Sequence, residues 1–412
     1  MKSDLHTLMH KRNLDAILIT GPAQHNPAMY YLTGGGHLTH ADLIQPRSGD
    51  AVLYYRPMER DEAAATGLKT KDITAFNWKE LRAKAQGDNN LAAALRYKAM
   101  LTEQGITGGR LGIYGQVEIG PQFAVFSALQ RIMPELEIVG ESANDSLMLA
   151  AMMTKDEAEI ERTRNMGRIT TTVVGKVADF LTAHKVKNEV LVKSDGEPLT
   201  IGEVKRKINL WLAEQGAENP HGTIFAIGSD AGVPHSTGTA SDVLALGKTI
   251  VFDIFPCEAG GGYHYDFTRT WCLGYAPDEA QALYEDVLAV YRQVVSSLTP
   301  NAPFAGVQTL TCDLFEAQGH DTIRQNPAIQ EGYVHSVGHG LGLHVHEAPW
   351  AGGTATEKDI LAPGAVFTIE PGLYYPSRGM GCRLEDTFTV LPNGTFERLA
   401  EFPHDLVLPM SA

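Results

Sequence analysis

Four acidic residues and a run of histidines carry the chemistry open to this chain. Asp253 in IVFDIF and Asp266 in YHYDFTRT form one pair, and Glu370 in VFTIEPG and Glu385 in GCRLEDT form a second. Asp253 and Glu370 each interrupt an apolar run, so a buried strand would carry them inward. A carboxylate is costly there unless paired or bound to a cation. One buried acid is ordinarily satisfied by structural hydrogen bonds, but four acids at matching places in two segments are harder to explain that way. Between the pairs runs HSVGHGLGLHVHE, with His335, His339, His344 and His346, and His235 lies in GVPHSTG just before the strand of Asp253. Any one of these imidazoles alone reads as a hydrogen-bonded or surface histidine. Beside four carboxylates they indicate a metal site.

Ligand softness narrows the metal. Four carboxylates and one imidazole make a mostly hard, oxygen-rich site, which suits Mn²⁺, Fe²⁺ or Co²⁺ better than a thiolate-rich zinc centre does. Four carboxylates also exceed the needs of one divalent ion. Two ions about 3.5–4 Å apart are bridged by such groups and hold a shared hydroxide as nucleophile. Hydrolysis of an amide or ester is the corresponding chemistry.

The elements that must position these groups follow from periodicity. In the first 140 residues, short apolar runs of strand length at 14–20, 50–55, 110–115 and 136–141 alternate with helical stretches that include 90–103 and 121–132, as in a small α/β domain. The glycine runs at 34–36 and 107–110 lack phosphate-loop spacing and read as turns. A boundary falls near 142–154, giving an N-terminal α/β domain over 1–150 and an α+β domain over 151–412. Thr154 and Glu157 suggest a capping box opening a helix with Ile160, Ile169, Val173, Val177 and Leu181 on one face, and Thr200 and Glu203 suggest a second, stopped at Gly216. Strand-like sequence follows at 222–227, 248–255 and 262–272. The order then recurs, with helices from Asp278 and from about 304 to Gly319, and strand-like segments at 333–346, 365–370 and 381–391. Duplicated helix–helix–sheet halves direct attention to the place where they meet. If 333–346 is a regular strand, His344 and His346 share a face, and Arg383 and Glu385 share one likewise.

Composition bounds the function. With 34 basic and 49 acidic residues in 412, the net charge is -15, which argues against nucleic acid or an anionic membrane as partner. Residues 1–150 hold 15 basic and 16 acidic residues, so the remaining 19 basic and 33 acidic residues place nearly all the excess in the second domain. Four cysteines (Cys257, Cys272, Cys312, Cys382) without CxxC pairing indicate reduced thiols, and MKSDLHTLMHKRNLD lacks an apolar signal core. A soluble, cytoplasmic protein is expected.

The motifs VPHSTG, DFTRT, HSVGHGLGLHVHE, TIEPGLY and CRLEDT occur here in the order found in the pita-bread metallopeptidases, the family of methionine aminopeptidase, aminopeptidase P and prolidase. Most of 151–412 resembles that catalytic domain, with pseudo-twofold duplicated halves. Residues 1–150 resemble the N-terminal domain of the creatinase, prolidase and aminopeptidase P branch. The resemblance implies metal ligation by Asp253, Asp266, His339, Glu370 and Glu385, with two divalent ions, Mn²⁺ favoured and Co²⁺, Fe²⁺ or Zn²⁺ as alternatives. It implies that Glu370 is also the general base, that His346 meets the scissile carbonyl oxygen, and that His235 serves the scissile nitrogen. His335 and Arg383 match positions near the substrate in the branch that cleaves before proline. His344 matches no motif position and is read as a bystander. A peptide with proline after the scissile bond is the implied substrate, for an Xaa-Pro aminopeptidase or dipeptidase, and a homodimer or larger homo-oligomer is implied by resemblance alone.

Two departures stand out. Asp253 and Asp266 are 266 minus 253, or 13, residues apart, two more than is usual in the family. An even insertion preserves side-chain parity across a hairpin, so both acids still face one site. Trp350 in HEAPW stands where many prolidases carry an arginine that binds a dipeptide's carboxylate. A tryptophan supplies no charge, which weakens strict dipeptide specificity; it is suited to pack on a proline ring or a longer peptide. The alternatives are a metal-free creatinase-like amidinohydrolase, a branch that lacks the ligand set, and a non-catalytic binding protein of the same fold. The extra N-terminal domain disfavours a methionine aminopeptidase.

Overall fold

A computed structural model describes residues 1–410. They form two compact units, Met1–Met152 with Gly260–Gly262, and Met153–Ala259 with the chain from Tyr263 onward. The first unit is built on a six-stranded mixed sheet in the order Lys69–Asp72, Val52–Tyr55, Ala41–Pro46, Ala16–Gly21, Gly109–Gly115, Leu136–Val139. Helices Asn89–Glu103 and Ile119–Ile132 cover it, and Leu18, Ile44, Tyr97, Leu101 and Leu129 lie in one core. Two of these strands carry no clear apolar run: ADLIQP is short, and KTKD is an exposed polar edge strand. Gly260–Gly262 count with this unit because His25 N–H donates to Gly260 O at 2.9 Å.

The second unit repeats one packing scheme. Helices Glu157–Thr182 and Ile201–Glu214 present Val173, Val177, Val204 and Ile208 to Phe225, Phe252 and Trp271 of a sheet ordered Thr223–Ile227, Thr249–Ile254, Phe267–Leu273, Val407–Leu408. Helices Asp278–Ser297 and Ala305–Ala317 present Leu283, Val287, Val294 and Phe315 to Phe367 and Phe388 of a sheet ordered Glu347–Trp350, His339–Gly340, Val366–Ile369, Asp386–Val390, Phe396–Arg398. Each apolar helix stripe therefore finds its own sheet face, the requirement that makes a helix-on-sheet layer stable. The sheets join where Glu385 N–H donates to Thr268 O at 3.1 Å and Thr270 Oγ1 donates to Arg383 O at 2.9 Å.

Some local expectations need correction. The first long helix is capped by Asp156, whose side chain accepts from Glu159 N–H at 2.9 Å while Glu159 accepts from Asp156 N–H at 2.8 Å. Thr154 lies before this box, in a bridge to Ala365. The second box is as expected at its acid, with Glu203 accepting from Thr200 N–H at 3.0 Å. Residues 333–346 do not form a long strand: only His339–Gly340 is a strand, Tyr333 makes an isolated bridge to Thr322, and 342–346 is a series of bends. A Cβ on Gly340 would lie 2.1 Å from Ala348 O, so this glycine permits a backbone approach that a regular alternation would not have allowed. The strand after Asp266 begins at Phe267, so 262–266 is irregular as well.

Candidate functional site

A cavity of about 600 Å³ opens in the second unit where its two sheets join. Every residue given a role in the site from the sequence borders it: the four acids, Arg383, Trp350, and the histidines at 235, 335, 339 and 346. His344 does not. The shared face expected for His344 and His346 fails because the chain bends between them, and only His346 reaches the cavity wall. There its ring meets that of His339, edge to face with centroids 4.3 Å apart.

The acids arrive from strand ends more than from strand interiors. Asp253 lies inside Thr249–Ile254, opposite Thr268 on the neighbouring strand. Asp266 immediately precedes Phe267–Leu273, Glu370 immediately follows Val366–Ile369, and Glu385 sits between Met380–Arg383 and Asp386–Val390. A strand end lets a side chain leave the pleat, and both pairs line the cavity. Ligand atoms of Asp266, His339 and Glu385 come within 4.8 Å of one another, and all three residues are buried. His339 Nε2 lies 3.4 Å from Glu370 Oε1 and 3.7 Å from Asp266 Oδ2. Its Nδ1 is 3.0 Å from Gly340 O, a pairing that puts the proton on Nδ1 and leaves the Nε2 lone pair facing the acids.

The electrostatics of this cluster are unfavourable for the protein alone. Burial, then the neighbouring Asp253 and Glu370, push the Asp266 carboxyl far above its ordinary range. Burial followed by Asp266, Glu370 and Asp253 does the same to Glu385. Glu370 is raised to about 8, chiefly by burial and opposed by Arg383. His339 is held down to about 3 by burial and by His346, so its imidazole is neutral and fit to ligate. Asp253 Oδ1 and Glu385 Oε1 are buried with no hydrogen-bond partner. Orphaned carboxylate oxygens, mutual repulsion and a neutral imidazole together make a donor set that fits divalent cations.

One cation stands among these acids. Arg383 Nη2 donates to Asp253 Oδ2, Nη1 to Tyr374 Oη at 2.6 Å and to Pro234 O at 3.2 Å, and Nε to Thr268 Oγ1 at 3.2 Å. All three nitrogens are thus engaged inside the protein. His335 is similar, with Nε2 2.9 Å from Tyr374 Oη and Nδ1 2.6 Å from Ser336 O. Both border the cavity, but neither has a nitrogen turned loose toward a substrate. His235 and His346 are exposed at the wall.

Sequence reasoning passed over three partners that shape this site. Thr268 donates to Glu385 Oε2 at 2.8 Å, Tyr374 links Arg383 to His335, and Arg269 donates to Glu385 O at 2.9 Å from behind. Thr268 shares strand parity with Asp266, which was the available signal. Arg269 offered none, because its partner lies 116 residues away, and Tyr374 offered none, because it joins Arg383 to His335, 39 residues before it. His346 is carried by bends braced from below: buried Lys155 pairs with buried Glu347, whose other oxygen accepts from His344 N–H at 3.3 Å.

Residues 161–392 match the model of metallopeptidase family M24, and residues 2–143 match the creatinase/prolidase N-terminal domain. An Xaa-Pro dipeptidase from Pyrococcus horikoshii is 27% identical over 406 residues, covering 97% of this chain and 96% of that protein. The solved Xaa-Pro dipeptidase from Bacillus anthracis superposes with a TM-score of 0.74 at 22% identity, covering 98% of each chain. An X-Pro aminopeptidase from Thermotoga maritima gives a TM-score of 0.72 at 20% identity, covering 96% of this chain and 97% of the other. These structures share the two-part architecture with the chain described here. No helix among the described residues is long and apolar enough to cross a membrane. With its catalytic-domain match spanning more than half of its length, the chain belongs to metallopeptidase family M24, the pita-bread peptidases.

Proposed function

We propose that this protein hydrolyses the peptide bond preceding proline, using two divalent ions held by Asp253, Asp266, His339, Glu370 and Glu385. The observation that carries the proposal is the buried acid cluster, with orphaned oxygens on Asp253 and Glu385 and a neutral His339 among them. The similar Xaa-Pro dipeptidase and X-Pro aminopeptidase support the choice of bond. Hard oxygen ligands favour Mn²⁺, with Co²⁺, Fe²⁺ or Zn²⁺ as substitutes. When bound, such ions supply Lewis-acid polarisation of the scissile carbonyl and a lowered pKa for the attacking water.

The chain's own groups divide the remaining work. Glu370, beside His339 at the cavity, accepts the water proton as general base. His346, exposed at the wall beside His339, donates a hydrogen bond to the scissile carbonyl oxygen. The proline nitrogen carries no N–H in the peptide bond, so the C–N bond breaks only as that nitrogen gains a proton. We assign that delivery to His235, which also lines the cavity. Arg383 and His335 act as positioning residues: Arg383 fixes Asp253, and Tyr374 connects the two. Trp350 offers an aromatic flank to the proline ring.

The test is hydrolysis of Xaa-Pro peptides by chelator-stripped protein resupplied with Mn²⁺, Co²⁺ or Zn²⁺. Release of the residue before proline only in the resupplied samples is expected. Equal turnover without metal, or full activity of Glu370→Ala, would contradict the proposal.

A further inference from the structure

The second unit holds another cavity, of about 1130 Å³, that shares no lining residue with the acid-lined one. Two helix stripes form its sides. Phe180, Ala183 and His184 stand at the end of Glu157–Thr182, and Glu203, Arg206, Lys207 and Leu210 stand on Ile201–Glu214. Residues three and four apart share a helix face, so each stripe presents one surface to the cavity. The segment 192–196 supplies a third side. Part of the lining is apolar: Leu199 is buried, and Val192 and Phe180 are half-buried. The Phe180 ring meets His184 and Trp211 edge to face, with centroids 4.6 and 5.8 Å away. Leu210 is left 51% exposed on the same wall.

The charge of this wall runs against that of its domain, where acids outnumber bases 33 to 19. Lys185, Lys193, Arg206 and Lys207 line the cavity against only Asp195 and Glu203. Lys193 takes both acids, Glu203 at 2.9 Å and Asp195 at 3.9 Å. Lys185, Arg206 and Lys207 pair with no carboxylate among the described residues, and Lys207 Nζ lies 6.0 Å from the Phe180 ring centre. The negative end of the first helix would offset these cations if its last carbonyls were free. They are not. Ala178 O accepts from Thr182 Oγ1 at 3.0 Å and Asp179 O from Ala183 N–H at 3.1 Å. Phe180 O lies 2.7 Å from His184 Nδ1, and Leu181 O accepts from His184 N–H at 3.2 Å. Surface lysines alone make an ordinary solvated face. Three unpaired cations beside a concave apolar lining instead match one molecule that carries both a negative charge and an apolar body.

We propose that this cavity binds a small amphipathic anion: an acyl or aryl chain on Phe180, Val192, Leu199 and Leu210, with its acidic head group among Lys185, Arg206 and Lys207. A protein partner fits the wall less well. Leu210 is its one exposed large apolar side chain among the described residues, and a stable protein interface has a fully buried apolar core. The three-sided, concave form is that of a small-molecule site. The proposal does not depend on the peptidase reading, because no residue of this wall belongs to the acid cluster.

Titration calorimetry on Mn²⁺-loaded protein tests this with octanesulfonate, octanamide and octyltrimethylammonium, which share a chain length and differ in charge, and with the shorter butanesulfonate. Sulfonate is a poor metal ligand, and repeating the titrations on chelator-stripped protein separates this cavity from the acid-lined one. One site per chain is expected, of equal affinity with and without metal, that holds octanesulfonate roughly tenfold or more tighter than the other three. Arg206→Glu combined with Lys207→Glu should weaken octanesulfonate by about tenfold or more with an unchanged melting temperature. Lys185→Glu is a second charge variant should the first fold poorly. Leu210→Ser should weaken the same ligand by about threefold. Absence of saturable binding, equal binding of the three charge types, binding seen only with Mn²⁺, or an affinity unmoved by both charge variants would overturn the proposal. Saturable binding of an acidic peptide and not of octanesulfonate would overturn it in favour of a protein partner.

Discussion

Glu385 and Asp386 are neighbours in sequence, equally deep in the protein, and opposite in their electrostatics. Asp386 faces away from the cavity, where Arg269 Nη2 donates to Oδ1 at 2.8 Å, the Tyr291 hydroxyl donates to Oδ2, and His404 and Arg398 lie at 3.4 and 3.6 Å. Burial alone would raise this carboxyl, but Arg269 above all, then the nearby His404 and Arg398, hold it below its usual range. Glu385 faces the cavity with Thr268 on one oxygen and nothing on the other, and it is driven strongly upward. The difference separates two uses of a buried acid. Asp386 is a structural charge that the chain has already neutralised, and Glu385 is a charge left for something outside the chain to neutralise. The same contrast divides the cations: Arg269 serves the closed cluster, and Arg383 serves Asp253 alone within the open one.

The sharpest way to break this comparison is to remove a partner on each side. Arg269→Met strands Asp386 without its main counter-charge, and unfolding free energy should fall by about 3–5 kcal/mol in urea titration. Glu385→Gln relieves repulsion in the metal-free protein, so stripped samples should keep or gain stability. Its activity with metal should nevertheless fall by roughly two to three orders of magnitude, about 3–4 kcal/mol of transition-state stabilisation. If Glu385→Gln instead destabilises the stripped protein as Arg269→Met does, the two acids are of one kind and the distinction fails. Next in size is His346→Ala, for which a loss of about ten- to a hundredfold in kcat on an Xaa-Pro peptide is expected, with metal content unchanged by elemental analysis. The smallest effect belongs to His344→Ala, whose ring lies off the cavity; a change under about twofold in kcat/KM is expected.

The sequence made the cluster legible because its members stand in short motifs with chemically telling types: DFTRT, HSVGHGLGLHVHE, TIEPGLY and CRLEDT. It also made the doubled helix pairs legible, since Val173, Val177 and Val204, Ile208 repeat at helical spacing and do pack on one sheet. What it hid depends on contacts between distant segments. The expectation that Arg383 lies near substrate followed from the family resemblance, and parity with Glu385 only allowed a shared face; neither speaks of Pro234, 149 residues away, whose carbonyl takes one of its protons. The bends at 342–346 were hidden for a different reason. Alternating apolar and histidine residues imitate a strand, and the close passage of Gly340 under Ala348 that breaks it is a tertiary event. The polar edge strand Lys69–Asp72 lacks an apolar signature because neither face of it is fully covered.

The central claim is that the open acid cluster exists to hold cations. Its most direct test is to strip the purified protein with chelator, titrate it with Mn²⁺, and follow both bound metal per chain and melting temperature. The account predicts about two ions retained per chain after dialysis, with a melting temperature that climbs as they bind. A protein that retains no ion, and melts at the same temperature throughout the titration, would contradict it.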